Sequence, residues 1–145
     1  MAILSKDKVR LNVKVQDKYE AIRMVGQMLV DAGHAPADYI EKMIEREDSL
    51  STYLGGGLAM PHGTNEAKTM IKSTGMAILT APEGIDFGGD EPAQLVIGLA
   101  AIRDDHMEIL TNVAVLVSDD DEMKRIVNAT SEDELISIFE QGMSE

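Results

Sequence analysis

An α/β sandwich, with a sheet held between helices on both faces, is predicted by three features of this chain. Segments with apolar residues at three- and four-residue spacing stand toward both ends, and short apolar runs bounded by glycine or proline occupy the middle. Three of the helical segments also open on Asp or Ser followed three positions later by Glu, the pattern of a reciprocally capped helix start. Continuous apolar strands escape water when helices cover both of their faces.

The first helix starts at Asp17-Lys18-Tyr19-Glu20, and Ile22, Val25, Met28 and Leu29 follow at helical spacing before Gly33 stops it. Pro36 can open a second helix, in which Tyr39, Ile40, Met43 and Ile44 repeat the spacing and Arg46 lies near the end. Residues 52–60, 76–80 and 94–100 read as strands, being short, apolar and bounded by turn residues. Asp105-His106-Met107-Glu108 repeats the capping pattern ahead of Ile109, Leu110, Val113, Ala114, Leu116 and Val117, which puts His106 in the first turn of a helix. Residues 118–127 and 131–139 read as two further helices, the first opening on the acidic run 119–122 and the second closing near Gly142.

The length of 145 residues, without a linker-like stretch, predicts one domain over residues 1–145. A net charge of −13, from 26 acidic and 13 basic residues, disfavours nucleic acid and anionic membranes as partners and favours a basic protein. With no cysteine, disulfides, thiolate metal sites and a cysteine nucleophile are excluded, so any covalent chemistry must use another residue. There is no 18-residue uncharged apolar run and no basic-then-apolar leader, which predicts a cytoplasmic location. Ten methionines are expected mainly as filler of irregular core gaps.

Chemistry concentrates at Pro61-His62-Gly63-Thr64, behind Gly55-Gly56-Gly57 and the apolar Leu58-Ala59-Met60. A strand cannot continue centrally through a proline, which lacks the backbone donor, so the chain is expected to turn at His62. Gly63 has no Cβ, which would let a bulky anion or a partner protein approach the ring. A neutral imidazole at such a strand end suits a nucleophile. A metal site using His62, His106 and a carboxylate is weakly indicated, because the histidines lack ligand spacing; no metal is expected.

The string REDSLSTYLGGGLAMPHGTNEAK from Arg46 to Lys68 resembles the phosphorylation-site region of IIA domains of bacterial sugar phosphotransferase systems, mannitol/fructose type. The resemblance continues through PEGIDFGG at 82–89, LVIGLAA at 95–101 and DDHMEIL around His106, in the family's order and spacing, with the mannitol branch nearest at PHGTNEAK. It implies an α/β sandwich around a central mixed β-sheet. It further implies that His62 takes a phosphoryl group from the phosphocarrier protein HPr and passes it to a cysteine of a mannitol-specific IIB on a separate chain, with no cofactor. A fructose-type IIA, or a nitrogen-regulatory IIA read by binding partners, is the alternative within the same fold.

Arg46 and His106 match the family's site positions. An arginine offers phosphate a planar pair of charged donors, although without the family match it reads better as an exposed partner for Glu45, Glu47 or Asp48. At a helix start, His106 adds an imidazole beside free amide donors, a favourable place for an anion. Thr52 matches a family threonine that could hydrogen-bond a ring nitrogen or the phosphoryl group, with an ordinary strand role as the equal alternative. Asn12, in the strand-like VRLNVKV, is assigned no role, and His34 is expected in an exposed loop. Met60 and Ile102-Arg103 depart mildly from the family pattern without removing a reacting group.

Overall fold

The computed structural model describes residues 3–143. Two helices, α1 (Lys18–Asp31) and α2 (Asp38–Ser49), precede most of the sheet, and α3 (Asp105–Val117), α4 (Asp120–Val127) and α5 (Glu132–Gly142) follow it. Between and before them run β1 (Val9–Arg10), β2 (Tyr53–Gly55), β3 (Leu58–Ala59), β4 (Gly75–Ile85) and β5 (Ala93–Ala100). The strand order is β1-β4-β5-β3-β2, with β1/β4 and β3/β5 parallel and β4/β5 and β2/β3 antiparallel, so the sheet is mixed.

The two-residue period of the central strands divides the core. Met76 and Ile78 of β4 and Leu95, Ile97 and Leu99 of β5 pack with Ile109, Val113, Ile126, Leu135 and Phe139 from α3, α4 and α5. Their alternates Ala77, Leu79, Val96 and Ala100 meet Ile22, Val25, Leu29, Tyr39 and Met43 from α1 and α2 on the other face. The helix starts use the residues expected of them: Asp17 accepts from the Glu20 amide, Asp119 from Asp121 and Glu122, and Ser131 from Glu134. No helix among the described residues is long and apolar enough to cross a membrane.

Several elements depart from their sequence reading. Residues 52–60 form a hairpin and not one strand, because Gly55, Gly56 and Gly57 all adopt positive φ and reverse the chain. β4 runs on past Thr80 to Ile85, and its ladder with β5 shifts register there, where Pro82 can give no amide. VRLNVKV contributes only Val9–Arg10 to the sheet, since Asn12 turns to φ 54 and gives its amide to the Thr80 hydroxyl at 2.9 Å.

Asp105 does not cap α3. Asp104 holds the N-cap position without a side-chain bond, and Asp105 accepts from Thr74 Oγ1 at 2.6 Å, which ties the start of α3 to the segment entering β4. His34 is not in an exposed loop: it is 2% exposed, with Nε2 2.6 Å from Lys8 Nζ and Nδ1 2.9 Å from Ser73 Oγ. Burial, then the Lys8 charge, pushes its basicity down, and burial does the same to Lys8. The turn after α1 directs the ring inward onto Lys8, a contact between residues 26 positions apart that no local pattern announces.

Candidate functional site

Beyond Ala59 the chain does not leave the sheet at once. Pro61 lacks a donor, but its carbonyl accepts from the Leu99 amide at 2.9 Å, and His62 itself bridges in parallel to Leu99. The chain bends at Asn65 instead. The Gly63 amide donates to Tyr39 Oη at 2.9 Å, and that hydroxyl donates onward to the Leu99 carbonyl at 3.0 Å, so one tyrosine clasps the segment entering the bend to the end of β5. A Cβ on Gly63 would sit 2.5 Å from Tyr39 Cε1, so the missing side chain makes room for this ring and not for an anion or a partner.

Burial pushes the Tyr39 hydroxyl up to about 12, which keeps it a donor. Tyr39→Phe strips the partner from a buried carbonyl and an amide, and is expected to destabilise the fold by about 1–3 kcal/mol. A lowered unfolding midpoint in denaturant would register it; an unchanged midpoint would mean that the hydroxyl does not hold that segment.

His62 Nδ1 donates to the Met60 carbonyl at 2.8 Å, which fixes the proton on that nitrogen in the neutral ring and leaves the Nε2 lone pair free. The ring is half-buried. Its basicity is depressed chiefly by burial, with Arg46 and Lys68 adding to the effect and the Met60 carbonyl and Glu47 opposing it. His106, in the first turn of α3, lies edge-on to it with centroids 4.7 Å apart and planes at 71°. Burial, then the His62, Lys68 and Arg46 charges, pushes His106 down to about 4.

The two rings open onto a cleft of about 380 Å³, which Arg46, Gly63, Thr64, Lys68 and Arg103 also line. Three cations against the single carboxylate-bearing residue Asp104 make the lining locally positive on a chain of net charge −13. Arg46 gives its guanidinium to the Leu50 carbonyl and has no carboxylate within ion-pair distance among the described residues. Its charge is therefore available to the cleft. Arg103 holds φ 54, a conformation costly to a residue with a Cβ, at the rim just before α3. The Thr64 hydroxyl is buried without a hydrogen-bond partner among the described residues.

Arg46, His62, Gly63 and His106 thus come together. Thr52 does not line the cleft: it is buried at the start of the hairpin, its hydroxyl is given to Glu47 at 2.5 Å, and the ring nitrogen it could have served is taken by Met60. Sequence reasoning passed over Lys68, Thr64, Arg103 and Tyr39. Lys68 and Thr64 stand inside PHGTNEAK and were legible as polar residues near His62; the helical turn Glu66–Met70 carries the lysine back to the cleft. Nothing local marks Tyr39 as more than an apolar helix residue. No cluster of three or more His, Cys, Asp or Glu side chains suited to a metal ion occurs among the described residues.

Fold and cleft together define an α/β domain suited to hold a small anion beside a neutral imidazole with a free ring nitrogen. Comparison with known proteins gives that class its family. The chain matches the family described as phosphoenolpyruvate-dependent sugar phosphotransferase system, EIIA 2, over residues 2–142, and it belongs to that family as a phosphotransferase-system component. It is 41% identical to the mannitol-specific phosphotransferase enzyme IIA component of Bacillus subtilis, over 97% of this chain and 99% of that one. Among solved structures it is similar to the mannitol enzyme IIA of Escherichia coli in complex with its phosphorylated enzyme IIB, at a TM-score of 0.90, with 36% identity over 95% of this chain and 97% of that one. The crystal structure of IIA mannitol from Escherichia coli gives a TM-score of 0.87 and 37% identity, over 94% and 98% of the two chains.

Proposed function

We propose that this protein is a mannitol-specific IIA component in which His62 Nε2 takes a phosphoryl group from phospho-HPr and hands it to a cysteine of a mannitol IIB on a separate chain. The observation that carries the reading is the His62 Nδ1 bond to the Met60 carbonyl beside a cation-lined cleft. The neutral ring attacks phosphorus through Nε2 as the bond from phosphorus to the donor nitrogen breaks. Its proton stays on Nδ1, held by the carbonyl, so no base is needed. In the second step the Nε2–P bond breaks as a cysteine thiolate forms its bond to phosphorus, and the electron pair returns to the ring. Positioning and charge carry such a transfer. Arg46, Lys68 and the edge of His106 surround the oxygens that gain charge, and the Thr64 hydroxyl is a further donor.

Incubation with labelled phosphoenolpyruvate, enzyme I and HPr, followed by addition of mannitol-type or fructose-type IIB, tests both halves. Label on His62 that moves to the mannitol IIB supports the reading. Label that moves to the fructose IIB instead, or to neither, overturns the sugar assignment.

Because the neutral ring is the nucleophile and its basicity lies below the usual 6.5, phosphoryl acceptance should hold as pH falls through 6.5 and fail only at lower pH. His106, at about 4, stays neutral over the same range. The sign for stability is that of depressed bases: the unfolded chain binds protons near 6.5 that the folded rings refuse, so stability present above 6.5 is lost as pH falls toward their folded values. A rate profile measured with phospho-HPr in excess, with a midpoint at or above 6.5, would contradict this.

A further inference from the structure

Glu47 is charged, its side chain is wholly buried, and it lies outside the cleft. Burial of a carboxylate is costly unless its oxygens are engaged, and three donors engage this one. Lys18 Nζ of α1 approaches Oε2 at 3.0 Å, while the Thr52 amide and hydroxyl both reach Oε1, at 2.8 and 2.5 Å. The backbone of Thr52 is thereby pinned to the end of α2. Its carbonyl accepts the Met60 amide at 3.1 Å, and the carbonyl of the same Met60 accepts from His62 Nδ1 at 2.8 Å. An unbroken run of bonds leads from a buried ion pair, across a hairpin of two short strands, to the proton on the candidate nucleophile.

We infer that Glu47 and Thr52 are positioning residues, which hold the Met60 carbonyl where it keeps the His62 ring in the Nδ1–H tautomer. The inference deepens the phosphoryl-acceptor reading and rests on it for its catalytic meaning. A free histidine side chain in water favours the opposite tautomer, with the proton on Nε2, where it would occupy the lone pair that must attack phosphorus. β2 and β3 are three and two residues long, and β2 is the edge strand, so the hairpin has little ladder of its own to keep Met60 in place. Glu47 supplies the anchor from a helix. Thr52 then earns its place beside the site without touching the phosphoryl group.

The test reads the ring directly. Nitrogen-15 NMR of the full chain at neutral pH reports which His62 nitrogen bears the proton, and phosphoryl acceptance from phospho-HPr gives kcat and KM. In Glu47→Ala the Nδ1–H population should fall and kcat should drop on the order of ten- to a hundredfold with KM little changed, as expected when a reacting atom loses its alignment. Glu47→Gln, which keeps one carbonyl oxygen for Thr52, should recover the tautomer and most of the rate. Thr52→Val, close in shape and retaining the amide bond, should shift both readouts in the same direction by less, and it serves if the alanine variant does not fold. An unchanged tautomer in folded Glu47→Ala or in Thr52→Val overturns the inference, as does a rate loss without a tautomer change, which would mark Glu47 as a structural staple only. If label never appears on His62 of the unaltered protein, the acceptor reading fails while the tautomer result still stands on its own.

Discussion

His62→Ala is expected to abolish phosphorylation by phosphoenolpyruvate, enzyme I and HPr while the protein stays folded. The ring sits half-buried at a cleft, and its one side-chain hydrogen bond among the described residues is to the Met60 carbonyl two positions back, so its removal should take away the nucleophile without opening the core. The group attached to the unaltered protein should be labile in acid and stable in base, as a phosphoramidate is and a serine or threonine ester is not. Label retained on the variant would sink the assignment, and acid-stable label would move it to Thr64, the hydroxyl residue that lines the cleft. A circular dichroism spectrum matching the parent guards against a trivial loss through unfolding.

Arg46→Ala and His106→Ala should each slow the transfer on the order of a hundredfold, roughly 3 kcal/mol of barrier, the usual cost of one lost donor to developing charge. Stability should change far less. Among the described residues Arg46 is tied to the Leu50 carbonyl at the end of its own helix and has no carboxylate within ion-pair distance, so its charge is expected to serve the phosphoryl oxygens. His106 packs against His62 with ring centroids 4.7 Å apart and remains uncharged at neutral pH, so it is expected to act as a hydrogen-bond donor to the phosphoryl group and not as a second cation. Lys14, exposed and paired with Glu83 at 3.1 Å away from the cleft residues, is the control whose replacement by alanine should leave the rate unchanged. Equal losses at all three positions would mean that net charge, and not the cleft, governs the reaction.

Where the local pattern coincided with what the fold needs, the sequence was readable. Asp17 and Ser131 cap the helices that their spacing promised, and Asp119 caps the one that its acidic run announced, since capping is decided within four residues. Asp105 carried the same signature and does something else, because Thr74, 31 positions away, competes for its carboxylate. Thr52, from its match to a family threonine, likewise reads as a ligand contact or equally as an ordinary strand residue, and only the arrival of Glu47 from α2 explains its direction. His34 was misread for the same reason: a histidine after a glycine stop looks exposed unless Lys8 is known to lie beneath it.

The sequence by itself determined the α/β class, the helical faces, the candidate nucleophile and the family, because those follow from local periodicity and from a contiguous string around His62. The tertiary structure alone decided which nitrogen of His62 is free, that Arg46 and His106, 16 and 44 positions away in sequence, share its cleft, and that Tyr39 rather than an anion fills the space beside Gly63. Those outcomes depend on hydrogen bonds and ring contacts between residues that only sheet pairing and helix packing bring within about 3–5 Å, and no local propensity encodes such distances.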